Sequence, residues 1–505
     1  MRAAVSGVLA GALTLGVATL LAGALSRISV SAGQPSPVIA VGGAFVDRTP
    51  LWLKNFAVST FGTNDKQALF AGMALVLVVV CAGVGVLAAR RRTAGLVAFA
   101  VVGALGAAAV LSRPGARPLD VLPTVVGTLV GLWALTTLLA LGARAQESRD
   151  GFDRRRLLLS GAGIAAVAAT SAAIGQGLGG RASAVAQARA DVTVPPVPTP
   201  VVVPPAASLA VPGITPYVVP NRDFYRIDTA LVVPQMDTRG WRLRVHGLVD
   251  QEVEIGWDTL VSKPMQQALV TLTCVSNEVG GDLAGNAVWT GWPIRELLAL
   301  AGPQPGADMV LSTSIDGFTA GTPLEALTDD RNALLAVAMN DEPLPVEHGF
   351  PVRMVVPGLY GYVSATKWVV DLKVTTFAAD VAYWTPRGWS ERGPIKTASR
   401  IDVPASGDQV KAGRVAVAGV AWAQHRGVRA VEVRVDDGPW QQARLAAEPS
   451  IDAWRQWVLE WDAPKGNHTL TARAVDGTGA LQTEREAPPA PDGASGWHSI
   501  TVTAG

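Results

Sequence analysis

The sequence predicts three unlike parts in one chain: an N-terminal α-helical membrane domain, a central α+β domain that is mostly β, and a C-terminal β-sandwich. Three observations predict this. Five long charge-free runs crowd into the first 180 residues, a strand-rich pattern with polar glycine loops follows from 216 to 400, and period-two apolar alternation takes over in 401–505. The chain has 505 residues, of which 49% are hydrophobic and only 16% charged, with a net charge of +1. That length fits about three domains, and the low charge fraction fits membrane segments. A neutral balance with no basic patch interleaved with aromatics excludes nucleic acid as a partner.

The runs Ala3–Ser26, Ala68–Ala89, Thr93–Ser112, Val121–Ala143 and Leu157–Gly180 are each free of charge. Each is long enough for a hydrocarbon core, which takes roughly 20 residues. A lone first run reads as a cleavable signal peptide, but four more follow it, so residues 1–180 read as a five-helix membrane domain in contact with lipid. Arg90, Arg91 and Arg92 join the second and third spans, while Arg144, Arg149 and Arg154 to Arg156 precede the fifth. Placing both clusters in the cytoplasm satisfies the positive-inside rule. The expected location is therefore the cell membrane, multi-pass, with everything beyond about residue 180 extracytoplasmic. The loop Phe45–Lys66 carries Leu51, Trp52, Phe56 and Phe61, as a stretch along the membrane interface does. The run from Asp153 to Leu159 is similar to a twin-arginine export signal set internally, and it also reads as a plain stop-transfer cluster. Residues 181–215 form a proline-rich extracytoplasmic linker, whose Pro-Pro and Pro-Thr-Pro pattern favours a semi-rigid polyproline stalk.

In the central domain, Arg239–Val249 reads as a strand and Ile294–Ala301 as a short helix. Lys367–Thr375 alternates, with Trp368, Val370, Leu372 and Val374 on one face. Cys274 ends the strand-like run Ala268–Thr273 and opens a polar loop, Val275 to Gly281. The only other cysteine, Cys81, lies in the second apolar run, so no disulfide is expected. A free cysteine at a strand end packs as a small hydrophobe; delivered into a polar glycine loop, it is also a soft ligand for a metal. Downstream come Met339-Asn340-Asp341-Glu342-Pro343-Leu344-Pro345, His348-Gly349-Phe350-Pro351-Val352-Arg353, Val356-Pro357-Gly358-Leu359-Tyr360-Gly361 and Lys367-Trp368. Arg353 follows a proline-containing turn and opens a strand, which positions its planar fork. Gly361 to Lys367 supplies small residues, two hydroxyls and an ammonium, a composition suited to cradling a phosphate.

This ordered series resembles the sulfite oxidase family of molybdenum enzymes, whose pattern reads "MNGxPLPxxHGFPVRxxVPGxxG" followed by "KW"; the chain departs from it there only at Asp341. The likeness covers roughly residues 205 to 400. It implies a molybdopterin-binding domain over 216–400, with Cys274 as the catalytic metal ligand to molybdenum held by a pterin dithiolene. It further implies cofactor contacts from Asn221, Phe224, Tyr225, Arg226, Thr313, His348, Arg353, Ser364, Ala365, Thr366 and Lys367. Over 401–505, the runs Val415–Ala421, Val431–Val435 and Trp457–Trp461, with Asp437-Gly438 and Asp476-Gly477 as hairpin signals, read as an immunoglobulin-like sandwich without a disulfide. In the family such a domain often carries the contact of a homodimer.

The resemblance implies a molybdenum-molybdopterin oxidoreductase performing two-electron oxygen-atom transfer on a small molecule. The alternatives are a sulfite oxidase or dehydrogenase proper, and a non-catalytic membrane-anchored binding protein. None of the five histidines, His246, His348, His425, His468 and His498, falls in an apolar run, so no haem is expected in this chain and electrons pass to a separate redox partner. Sulfite-oxidising members resemble one another in an arginine soon after the cysteine and a tyrosine in the next conserved loop. Here Glu278 follows Cys274 with no cation before Arg295, and Phe318 stands at the tyrosine's place, so a neutral or organic substrate is expected.

Overall fold

The computed structural model describes residues 2–28, 36–50, 53, 56, 60–61, 65–113, 116–147, 151–178 and 181–505, in two units. The first takes Met1–Val185 together with Thr229–Gln235. Among the described residues, five of its helices are long and apolar enough to cross a membrane: Arg2–Leu25, Lys66–Arg90, Arg92–Leu111, Pro118–Arg144 and Leu158–Gly175. A helix satisfies every backbone group within its own segment, the arrangement open to a single apolar run away from water. Small residues let the first helix approach its neighbours closely. A Cβ on Gly7 would run into the Cys81 carbonyl, and one on Gly85 into the Ala3 carbonyl. Of the expected interfacial loop, Phe45, Phe56 and Phe61 are exposed, and Leu51 and Trp52 lie outside the described residues. The 154–156 arginine run lies in the first turns of the helix Gly151–Leu178.

The second unit takes Ala186–Asp228 and Met236–Gly505. Its first ten strands are β1 (Arg242–Gly247), β2 (Val253–Gly256), β3 (Gln266–Thr273), β4 (Ala284–Pro293), β5 (Met309–Ser314), β6 (Thr319–Pro323), β7 (Leu334–Met339), β8 (Glu342–Pro343), β9 (Arg353–Val355) and β10 (Val369–Thr375). They make two sheets, ordered β2-β1-β10-β5-β6 and β3-β4-β7-β8, with β9 paired to β7. One core that includes Trp241, Leu243, Val310, Leu335, Met354 and Leu372 joins them, capped by the helix Ile294–Ala301 at the expected bounds. That helix ends where Gly302 takes a left-handed φ of 69°.

Nine more strands follow: β11 (Ala398–Val403), β12 (Gln409–Val410), β13 (Gly413–Trp422), β14 (Val428–Val435), β15 (Gln441–Gln442), β16 (Arg444–Leu445), β17 (Arg455–Ala463), β18 (Gly466–Asp476) and β19 (His498–Ala504). Sheets β11-β13-β17-β16 and β12-β19-β18-β14-β15 enclose a second core around Val417, Val431, Trp457, Trp461 and Leu470. The alternating residues read from the sequence are those that fill it.

Two local expectations differ. β10 starts at Val369, and a register shift between Val369 and Asp371 breaks the alternation. Val369, Leu372 and Val374 are buried and Val370 only half-buried, so the strict period-two face of Trp368 and Val370 does not form. The segment after the fifth apolar helix is not a free stalk either. Arg181–Ala190 is helical, and the proline-rich stretch beyond it lies along the second unit. The Val201 N–H donates to Gln267 Oε1 (2.9 Å), Leu209 N–H to Gln456 Oε1 (2.6 Å) and Thr215 N–H to Asp402 Oδ2 (3.0 Å). Extended proline-rich backbone has no partners of its own, and these side chains satisfy it.

Candidate active site

Cys274 directly follows β3 and is 9% exposed. Its loop is closed by backbone bonds, Cys274 N–H to Leu283 O (2.9 Å) and Asn277 N–H to Cys274 O (3.1 Å), while Ser276 N–H points at Sγ (3.4 Å). Burial pushes the thiol up, opposed by the Ser276 hydrogen bond and by the nearby Lys367 ammonium. The sulfur thus has a donor and a cation ready to favour thiolate once a metal compensates its burial.

Lys367, just before β10, acts on it electrostatically. Its Nζ donates to the Glu347 carbonyl (3.1 Å) and pairs with Asp228 (3.3 Å), and burial lowers its pKa to about 8. The next residue, Trp368, sits at φ 49°, a left-handed conformation that costs a bulky side chain about 1–3 kcal/mol. Its indole N–H to Val346 O (2.9 Å) helps hold that turn, which presents Lys367 inward. Gly349, at φ 115°, makes room: a Cβ there would stand 2.9 Å from Arg353 Cβ and 3.3 Å from Lys367 Cα. One glycine therefore lets His348, Arg353 and Lys367 share a site.

Arg353, at the start of β9, is 3% exposed. Its guanidinium donates to carbonyls only, those of His348 (3.1 Å), Met354 (3.3 Å) and Ala365 (3.4 Å), and lies 4.9 Å over the Trp289 ring. No carboxylate pairs with it among the described residues, and burial lowers its pKa to about 10. His348 is held neutral, its pKa lowered to about 3 first by burial and then by Arg353 and Lys367. Its Nε2 lies 3.2 Å from the Asn221 carbonyl, which assigns the proton to Nε2 and leaves Nδ1 an acceptor.

Asn221 bridges Met339 O (3.1 Å) and Asn340 Nδ2 (2.8 Å). Asn340 and Asp341 form the two-residue turn between β7 and β8, with φ 52° and 62°. A primed hairpin turn needs positive φ at both positions, and Asp tolerates it, which accounts for the departure from the family's glycine at 341. Phe224 is buried, stacked on Tyr225 (5.2 Å) and edge-on to His348 (5.6 Å). Burial raises the Tyr225 phenol, with Cys274 adding and Arg353 opposing, so this ring stands among the same groups. Arg226 pairs with Asp228 (2.9 Å).

The structure does not bring every expected residue into the open site. Ser364 Oγ is committed to the carbonyls of Leu359 (3.1 Å) and Tyr360 (2.9 Å). Thr366 Oγ1 is committed to Ser312 Oγ (2.8 Å), and Ala365 contributes only its carbonyl, to Arg353. Since Ser312 faces Thr366, its neighbour Thr313 on the pleated β5 faces the other way. Sequence reasoning missed Ser312, one position off in parity. It also missed Asp228, the 5%-exposed carboxylate joining Arg226 to Lys367, whose only signal was its place two residues after the Phe-Tyr-Arg triplet.

These groups fit a molybdenum-pterin cofactor. A buried arginine without a carboxylate carries the full cost of an unpaired charge, several kcal/mol, unless an anion such as a phosphate joins it. Neutral His348 and Asn221 offer donors and acceptors to a heterocycle edge, and Cys274 offers a soft ligand. A pH prediction follows. His348 binds its proton at about 3 when folded against an ordinary 6.5, so the unfolded chain takes up a proton first as pH falls through 6.5. Thermal unfolding of the cofactor-free protein is expected to show stability lost between pH 6.5 and 3, and His348→Gln to flatten that slope.

A family model described as "Oxidoreductase molybdopterin binding domain" matches residues 230–384. The chain is similar to sulfite oxidase, mitochondrial, of Homo sapiens, 31% identical over 321 residues, covering 54% of this chain and 58% of the human protein. It is similar to the uncharacterized oxidoreductase YuiH of Bacillus subtilis, 32% identical over 157 residues, covering 31% of this chain and 76% of that one. The sulfane dehydrogenase SoxCD from Paracoccus pantotrophus shares the fold, with a TM-score of 0.51 at 23% identity over 61% of this chain and 88% of that one. The chain thus spans little more than half the length of the mitochondrial sulfite oxidases it matches.

Proposed function

We propose, because this chain belongs to the sulfite oxidase family of molybdopterin-dependent oxidoreductases, that it is a membrane-anchored enzyme carrying out two-electron oxygen-atom transfer on a small non-sulfite substrate outside the cytoplasm. The observation that supports this best is the convergence of Cys274, Lys367, Arg353 and neutral His348. Molybdenum-molybdopterin supplies the two-electron chemistry when bound. The chain's own residues do the rest. Cys274 holds the metal as thiolate, with Ser276 N–H and Lys367 favouring that form. Arg353 and Lys367 answer the cofactor's anionic end, Asn221 and His348 its ring edge, and Phe224 with Trp289 keeps water from that side.

The non-sulfite reading is supported by charge. Two cavities on the outer side of the loop after Cys274, lined by neither Cys274 nor Lys367, carry Glu278 and Glu486 and no cation. Arg226 and Lys396 are each committed to a carboxylate, Asp228 and Asp492. One observation favours the second reading, a sulfite-type anion. Arg387 lies 3.7 Å over the Tyr383 ring, has no carboxylate partner among the described residues, and Tyr383 packs 5.8 Å from Phe318.

Metal and pterin analysis of the purified protein tests the enzyme reading; a protein that binds neither sinks it. Steady-state kinetics with sulfite and an artificial acceptor tests the substrate: weak turnover with KM far above micromolar is expected, and efficient turnover at micromolar sulfite restores the second reading.

The arginine clusters at 90–92 and 144–156 support the extracytoplasmic orientation, and the twin-arginine-like run suits export of a domain folded around its cofactor. We read the C-terminal sandwich as immunoglobulin-like and as the contact of a homodimer, and electrons as passing to a separate redox partner.

A further inference from the structure

β3, which delivers Cys274, is an edge strand of its sheet. Its outer edge is covered by two loops of the C-terminal sandwich. Thr271 N–H donates to the Asp452 carbonyl (2.9 Å), and Thr271 Oγ1 accepts from Trp454 N–H (2.7 Å) and lies 3.1 Å from Asn286 Oδ1 on β4. Gln424 Nε2 donates both to the Thr271 carbonyl (3.1 Å) and to Thr273 Oγ1 (3.1 Å), next to Cys274 itself. The same knot reaches the segment that presents Asn221 and Phe224. Trp454 Nε1 (2.8 Å) and Asn286 Nδ2 (2.9 Å) both donate to Tyr217 O, and Val219 N–H donates to Asn286 O (2.9 Å). Thr271, Asn286, Gln424 and Trp454 are all at most 1% exposed.

This arrangement is costly for a mere interface. Gln424 Oε1 is buried without a donor, a loss typically of about 1–3 kcal/mol. His425 beside it takes a left-handed φ of 62°, and Asp452 is a buried carboxylate whose partner is His425 (3.2 Å). Apolar side chains would join the two cores with none of these penalties. Strain and orphaned polar groups persist where the surroundings over-determine a geometry that function needs.

We propose that Gln424, carried in by the C-terminal sandwich, is a positioning residue for the molybdenum-binding thiolate: with the Asp452–Trp454 turn it locks β3 and so sets where the Cys274 sulfur stands. The sandwich is then part of the catalytic unit. This rests on Cys274 being the metal ligand, and the experiment separates the two.

The test uses the full chain in a Cys81→Ser background, where Cys274 is the one thiol, with Gln424→Met as the variant. Methionine keeps the volume, removes the orphaned oxygen and breaks both hydrogen bonds. In cofactor-free protein, labelling of Cys274 by a thiol reagent is expected to speed up by about tenfold, since local opening of β3 becomes easier. In cofactor-loaded protein, the paramagnetic Mo(V) signal is expected to shift its g-values at unchanged molybdenum content and unchanged Tm. Thr273→Val, which removes one of the two bonds and no more, is expected to move both readouts in the same direction by less, and it decides the matter where Gln424→Met does not fold. Parental labelling rates together with a parental Mo(V) signal in either variant overturn the proposal. An unaltered Mo(V) signal in Cys274→Ser overturns instead the ligand assignment beneath it.

Discussion

Cys274→Ser is expected to abolish turnover, a loss beyond the ~100-fold that removing a mere outer-shell partner of a metal ligand costs. A serine hydroxyl is a harder, weaker donor and stays protonated at neutral pH, so the metal loses its one protein bond and the charge that went with it. The thiolate-to-metal absorption should shift or bleach together with activity, while thermal unfolding of the cofactor-free protein should barely move, because the side chain is small and its loop is closed by backbone bonds. Activity retained with an unchanged absorption spectrum refutes the assignment of Cys274.

Arg353→Met is expected to move stability in opposite directions with and without cofactor. In the cofactor-free chain this guanidinium is 3% exposed and faces carbonyls and a Trp289 ring, with no carboxylate among the described residues. Replacing a buried ion by an apolar group of similar volume often stabilises by about 1–4 kcal/mol, so the melting temperature of the cofactor-free variant should rise. The cofactor-loaded form should lose an anion contact, a charge-assisted bond of roughly 1.5–3 kcal/mol. Molybdenum and pterin content should therefore fall by about tenfold or more. Melting both forms, with metal analysis on each, checks the pair of signs; a cofactor-free variant that melts lower places Arg353 in the structural frame and not in the cofactor site.

Much of this was legible from sequence where one physical rule dominates. Charge-free runs of about 20 residues leave little besides a helix, and Ile294–Ala301, pinned by a proline before and a glycine after, was readable to the residue. His348, Arg353 and Lys367 stand in the long ordered motif, and Cys274 stood out as a lone thiol before a polar glycine loop; the structure sets these four near one another. What escaped depended on parity and on distant chain. A register shift in β10 moved burial from Val370 to Val369, and a one-residue step in β5 put Ser312, not Thr313, against Thr366. The proline-rich segment looked like a stalk because its partners, Gln267, Asp402 and Gln456, lie far along the chain. Gln424 bears no motif; only the fold brings it to Thr271 and Thr273.

The covered edge of β3 has a consequence for how the protein is made. Gln424 and Trp454 leave the ribosome about 150 and 180 residues after Cys274, a delay of roughly 10–40 s at ordinary synthesis rates of about 5–20 residues per second. Through that interval the strand that carries the cysteine has an open, apolar edge, the kind that recruits other chains. The Cys274 site therefore depends on a segment made well after it, and cofactor loading is expected to follow synthesis of the 424–454 region. A truncation ending before residue 401 should accumulate as aggregate and not as a smaller working enzyme.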